Sequence, residues 1–170
     1  MSKKFIWIPL AAVIVFTQSK ASSKADPLSA LVGHWEGSAK FADTRYSKAQ
    51  SLTSAGDCNW SPQGSALVCE TQIEDAHGKH VQLSIDVPNE TGSGFTYYTI
   101  TAGQKPYTGT LTIDGNIWIY GPPPEAATIY PVFRTTNNFS GDTETFKTEF
   151  TDDGTHWTTM LDGTQHRTRK

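Results

Sequence analysis

His80-Val81-Gln82-Leu83-Ser84-Ile85-Asp86-Val87 alternates polar and apolar side chains without a break. A period of two is the signature of a β-strand with one buried and one wet face. Val81, Leu83, Ile85 and Val87 are expected to face a core, which leaves His80, Gln82, Ser84 and Asp86 for solvent. The same period recurs along the chain. Trp35, Gly37, Ala39 and Phe41 share one face of a first strand, with His34, Glu36, Ser38 and Lys40 on the other. Phe95, Tyr97 and Thr99 alternate with Thr96, Tyr98 and Ile100, and Leu111 and Ile113 with Thr108, Thr110 and Thr112. Ile117 and Ile119 alternate with Trp118 and Tyr120, Phe146 and Phe150 with Lys147 and Glu149, and Trp157 and Leu161 with His156 and Thr158.

Turn residues punctuate these runs. Asp75–Gly78, Asn89–Gly94, Ala102–Lys105, Asp114-Gly115, Ser140–Asp142, Asp152–Gly154 and Asp162-Gly163 all carry Gly, Asp, Asn or Ser in turn-forming combinations. Strands set about 8–12 residues apart by tight turns predict an all-β, antiparallel meander of about 8–10 strands, closed into a barrel that leaves no open edge. Gly121-Pro122-Pro123-Pro124-Glu125 cannot lie inside a sheet ladder and reads as a rigid loop at the rim. Leu28–Val32 reads as one helical turn capping an end.

Composition agrees. Of 23 Thr, 19 lie from Thr91 onward, and 11% of residues are aromatic, the profile of sheet rather than helix. The 170 residues carry 14 Lys and Arg against 17 Asp and Glu, which excludes a basic nucleic-acid-binding surface. At the start, Lys3 and Lys4 precede an apolar run from Phe5 to Phe16 and a small-residue exit. This is the pattern of a secretory signal peptide over residues 1–25, cleaved after Ala21 or Ala25, ahead of a single barrel domain over residues 26–170. The apolar run is shorter than the roughly 20 residues a membrane span needs, so no stable membrane anchor is expected. A chain beginning at Asp26 keeps ten bases and all 17 acids, a net charge of −7. The expected location is outside the cytoplasm, periplasmic or secreted.

Cys58 and Cys69 are the chain's two cysteines. Folding the segment about Gln63-Gly64 sets Cys58 opposite Cys69 and Trp60 opposite Leu67, on neighbouring strands. In an exported protein such a pair is expected to form a structural disulfide. Neither cysteine lies in metal-ligand spacing, and His77-Gly78-Lys79-His80 lacks a third ligand, so neither a metal site nor a cofactor is expected.

Leu31-Val32-Gly33-His34-Trp35-Glu36-Gly37 places Gly-x-Trp after a short helical turn. This resembles the opening of the lipocalin and fatty-acid-binding (calycin) barrels. In those barrels the Trp plugs the closed end and a basic residue of the last strand packs on it; Arg167 is placed to do so as a cation–π partner of Trp35. The segment Phe150–Trp157 resembles the final hairpin of secreted bacterial lipocalin-like domains of unknown function. The resemblance implies a cup-like barrel for a small hydrophobic ligand.

The residues expected inside are Trp35, Phe41, Leu83, Ile85, Phe95, Tyr97, Leu111, Phe146, Phe150 and Trp157. They either fill the core or leave a pocket lined by Trp35, Phe95, Tyr97, Phe146 and Trp157, with Tyr107, Tyr120 and Tyr130 as gates. A haem-binding barrel using His166 is one alternative, although Gly33–Ala39 lacks the third Gly of such proteins. Another is a small barrel enzyme of isomerase, cyclase or hydrolase type, which requires a carboxylate or His inside a cavity. Alternation predicts none beyond His166. Gly92-Ser93-Gly94 lacks a nucleophile-elbow frame, and the pairs Glu70/Glu74 and Asp152/Asp153 fall on outward faces or turns. No catalytic residue is assigned.

Overall fold

In the computed structural model, which describes residues 27–89 and 94–168, ten antiparallel strands close into a barrel. They are β1 (Gly33–Phe41), β2 (Gln50–Trp60), β3 (Leu67–Asp75), β4 (Gly78–Pro88), β5 (Phe95–Thr101), β6 (Tyr107–Asp114), β7 (Ile117–Gly121), β8 (Val132–Ser140), β9 (Thr143–Thr151) and β10 (Thr158–Thr168). Each strand pairs with the next, and β10 returns to β1 with Trp35 opposite Arg167. Residues 1–26, and with them the signal-peptide expectation, lie outside the described residues. No described helix is long and apolar enough to cross a membrane.

One end of the barrel is plugged. A 3-10 turn, Pro27–Leu31, inserts Leu28 and Leu31 into a cluster with Trp35, Leu67, Leu111, Trp118 and Phe139. Burying each of these side chains contributes about 1.5–3 kcal/mol. The Trp35 indole N–H donates to Leu31 O at 2.7 Å, and the Arg167 guanidinium lies over the Trp35 ring, 4.8 Å from its centroid. Arg167 also donates to Ala30 O at 2.6 Å, pinning the 3-10 turn to the last strand. The disulfide Cys58–Cys69 spans β2 and β3 in the same layer, both cysteines buried.

Cross-strand partners share a face, so the register carries inwardness around the ring from Trp35 and the cystine. On β4 the result inverts the expectation. Cys69 pairs with Ser84 and Leu67 with Asp86, so His80, Gln82, Ser84 and Asp86 face the interior. Val81, Leu83, Ile85 and Val87 face outward, where Leu83 and Ile85 lie beside Ile100 and Tyr98 of β5. Val81 and Ile100 are 44% and 43% exposed. Leu83 and Ile85 therefore leave the predicted interior set.

Two further corrections concern boundaries. Asp162-Gly163 is not a turn but the middle of β10, which carries its irregularity between Thr159 and Leu161. A Cβ on Gly163 would stand 2.6 Å from both Ala39 Cβ and Ser38 O, so the glycine serves close approach of β1 and β10. And β8, whose Val132-Phe133-Arg134-Thr135-Thr136-Asn137-Asn138-Phe139 shows no apolar alternation in sequence, is a full strand.

Candidate functional site

Among the described residues, two spaces inside the barrel stand out. Near the plug lies a chamber of about 200 Å³ whose wall includes Trp35, Thr71, Gln82, Ser84, Asp86, Tyr120, Asn137, Glu144 and Gln165. Towards the other end is a mouth of about 690 Å³, lined by Tyr97, Tyr107, Tyr120, Phe133, Thr135, Thr148 and Met160 and by the proline-rich rim. That rim continues from Gly121 through a 3-10 turn at Pro124–Ala126 to a cis Tyr130-Pro131 bond. Tyr120 borders both spaces, and its ring meets that of Tyr97 in a T-shaped contact with centroids 5.0 Å apart. Tyr97 in turn packs on Tyr107, 5.7 Å away. Gly109, the partner of Tyr97 on β6, has no side chain to displace that ring.

The segment between β1 and β2 packs on Phe133, one of the residues lining the mouth, and on Phe150 beside it. Tyr46 packs its ring edge-on against Phe150 and Phe133, at 4.8 and 5.3 Å. Its hydroxyl donates to Asp152 at 2.9 Å, and Arg45 pairs with the same carboxylate. The Asp152–Gly154 turn and the strap over Phe150 are thereby joined.

The chamber is polar and acidic. Asp86 is 2% exposed and its Oδ1 has no hydrogen-bond partner; burial pushes its carboxyl up to about 7. Glu144 is 1% exposed and accepts a hydrogen bond from the Gln165 amide. Burial pushes this carboxyl up as well, to about 7, with the Gln165 bond opposing. Asn137 is buried with an unpartnered Oδ1. The Tyr97 and Tyr120 phenols are raised above their ordinary range, first by burial, and the Asp86 carboxylate adds to both. Among the residues lining the chamber there is no Lys, Arg or His.

Sequence reasoning therefore missed the two acids. The signals were present. A two-residue turn at Ala76-His77 pairs Asp75 with Gly78, and counting back along both strands pairs Cys69 with Ser84 and Leu67 with Asp86. The inward cysteine thus dictates an inward Asp86, against the hydrophobicity of its neighbours. Glu144 shares parity with Phe146 and Phe150, both expected inward.

The predicted pocket residues are dispersed. Trp35 lines the chamber, and Tyr97 lines the mouth with Tyr107 and Tyr120. Phe95 faces inward beside Leu111 and packs on the plug cluster, while Phe146 faces inward opposite Asn137 and Gly163; neither lines the two spaces. Trp157 lies apart, in the segment between β9 and β10, with the Arg134 guanidinium 3.8 Å from its ring centroid. Arg134 also donates twice to Glu149, at 3.0 and 3.1 Å. Lys147 pairs with Glu149 at 2.7 Å. Burial favours the neutral form of Glu149, but these cations outweigh it and hold the carboxyl low. Tyr130 is exposed on the rim. His166 is exposed on β10, shares a hydrogen bond with Thr143 at 3.0 Å and lines neither space. In that position His166 does not offer a ligand to a haem held in either space.

The closed antiparallel meander has counterparts among solved structures. Residues covering 84% of this chain superpose on 95% of Rv2717c from M. tuberculosis, with a TM-score of 0.59 and 15% identity. The same share superposes on 91% of the S-type phycobiliprotein lyase CPES from Guillardia theta, with a TM-score of 0.59 and 9% identity. The fold is a lipocalin-like barrel. No family model and no curated protein matches the sequence. At these identities the likeness establishes the lipocalin-like frame, and the chemistry must be read from the chamber and its mouth.

Proposed function

We propose that this lipocalin-like barrel binds one small molecule end-on, its apolar body against the aromatic mouth and its polar end in the chamber below. The observation that carries this reading is the shared wall. Tyr120 borders both spaces, so mouth and chamber adjoin, and the proposed ligand reaches from one into the other past this ring. The small hydrophobic ligand expected from sequence becomes in this proposal an amphipathic one, because the deep end presents carboxyl, amide and hydroxyl groups that an apolar group would leave unpaired. Small-molecule sites of this form are concave and mostly apolar, with a few polar groups that fix orientation. Export to the periplasm or beyond is part of the proposal, supported by Lys3, Lys4, the Phe5–Phe16 run and the disulfide.

A lipophilic dye tests the mouth. Nile red fluorescence should rise with saturable binding to the folded protein. Thr148→Trp, which puts a large ring into the mouth from a lining position on β9, should abolish the rise. Absence of binding, or binding unchanged in Thr148→Trp, overturns the proposal.

A second reading has its own observation. A carboxylate or His inside a cavity is what a barrel enzyme of isomerase, cyclase or hydrolase type requires, and Asp86 and Glu144 both line the chamber. Conversion of a bound molecule, lost in Asp86→Asn with binding retained, would establish it over simple binding.

A further inference from the structure

We propose that the chamber's ligand group is an organic ammonium, held by Asp86 and Glu144. The inference rests on the end-on binding reading above and names the chemistry of the polar end. It stands on three features of the chamber.

The first is sign. The ionisable groups facing Asp86 are Glu144 from β9, Tyr97 from β5 and Tyr120 from β7, with Tyr107 beyond Tyr97. β3, β8 and β10 contribute Thr71, Asn137 and Gln165, none of which carries charge. His80 shares the inward face of β4 but stands three inward positions nearer the mouth, paired with Ile73. Arg167 is committed to the plug, through Ala30 O and the Trp35 ring. The site therefore has anionic capacity and, among its lining residues, no cation to pair with a carboxylate or phosphate head.

The second is the hydrogen-bond balance. Asp86 Oδ1 and the Asn137 side-chain oxygen are buried acceptors with no donor. In native structures nearly all such groups find partners. An ammonium supplies three donors and no acceptor, whereas a hydroxyl supplies one donor and adds its own lone pairs. The third is the neighbouring ring: Tyr120 lines the chamber, and an aromatic face favours a cation.

Charge and protons balance simply. With both carboxyls pushed up to about 7, the empty chamber holds protons at neutral pH. A neutral carboxyl and an incoming R–NH₃⁺ become a carboxylate–ammonium pair, and the carboxyl proton leaves to the buffer. Affinity should therefore rise with pH through neutrality, and binding should release protons.

Calorimetry of the full, disulfide-intact protein tests this with three probes of similar shape: 2-phenylethylammonium, 2-phenylethanol and 3-phenylpropanoate. At pH 8 the ammonium should bind at least ~10-fold more tightly than the alcohol, the margin of one charge-assisted contact. It should tighten several-fold from pH 6 to 8, and at pH 6, where the empty carboxyls are protonated, its binding should release protons, read in two buffers of different ionisation heat. Asp86→Asn should remove most of this preference while still taking up Nile red at the mouth. Glu144→Gln should give the same pattern, so that the test survives if one variant fails to fold. Equal binding of the alcohol, tighter binding of the propanoate, or ammonium binding without proton release overturns the ammonium proposal and leaves the end-on reading standing. Failure of all three probes together with Nile red overturns both.

Discussion

Tyr97 and Tyr120 meet edge to face across the barrel interior, with centroids 5.0 Å apart, at the level where the apolar mouth gives way to the acidic chamber. The contact joins β5 to β7 without passing through β6, whose facing position is Gly109. A double-mutant cycle with Tyr97→Leu and Tyr120→Leu should show a coupling of about 0.5–1.5 kcal/mol in urea denaturation. Strictly additive losses would mean that each ring is held by its strand alone.

Asp86 and Glu144 make stability depend on pH in an uncommon direction. Each carboxyl binds its proton more tightly in the folded barrel, near 7, than in the unfolded chain, near 4. Between those values the folded state holds more protons, so stability falls as pH rises, and the full cost is reached above 7. The two groups together should cost several kcal/mol at pH 8 relative to pH 4, since each pKa unit corresponds to about 1.4 kcal/mol. Thermal midpoints of the wild type should drop across this interval. Asp86→Asn and Glu144→Gln should each flatten the slope, and a wild-type midpoint that climbs from pH 5 to 8 would contradict the buried placement.

The cystine closes a short loop in the plug layer. Reduction, or the Cys58→Ala/Cys69→Ala double variant, should lower stability by about 2–3 kcal/mol. Because both cysteines are buried, iodoacetamide should label neither until the protein is both unfolded and reduced. Labelling of the unfolded, unreduced protein would show that the bridge is absent.

The register of β4 admits a direct check. Leu83→Gln and Ile85→Gln, on the outer face, should each cost less than about 1 kcal/mol. Ser84→Leu, which drives a larger side chain against Cys69 and the chamber wall, should cost about 1–3 kcal/mol. The reverse ranking in chemical denaturation would restore the parity that hydrophobicity alone suggests.

Much of the architecture was legible because a period of two and a tight turn are local properties. The strand at His34–Phe41, the Cys58–Cys69 hairpin and the prolines at 122–124 all stand where their chemistry places them. What was lost is which side of a strand faces in. Alternation gives the period and is silent on the side, and Val81–Val87 breaks the usual association of apolar with inward. Its inner face is polar because the chamber is polar, so the reading failed at the candidate site itself. Asp162-Gly163 misled for a different reason. A glycine that admits a neighbouring strand and a glycine that turns the chain look the same in sequence. β8 escaped notice because its inward Thr135 and Asn137 belong to the same polar interior.

The closure of β10 on β1 has a kinetic consequence. Among the described residues, the other nine ladders are hairpins between consecutive strands, whose contacts form at little loop-closure cost. The seam is different in kind. Its Arg167–Ala30 hydrogen bond joins residues 137 apart in sequence. A chain arrested before this step would be a curled ribbon with most of its pairing complete, yet it would have no floor under Asp86 and Glu144. By its loop-closure cost the seam is expected to pair after the hairpins, and the chamber is complete only once the last strand meets the first.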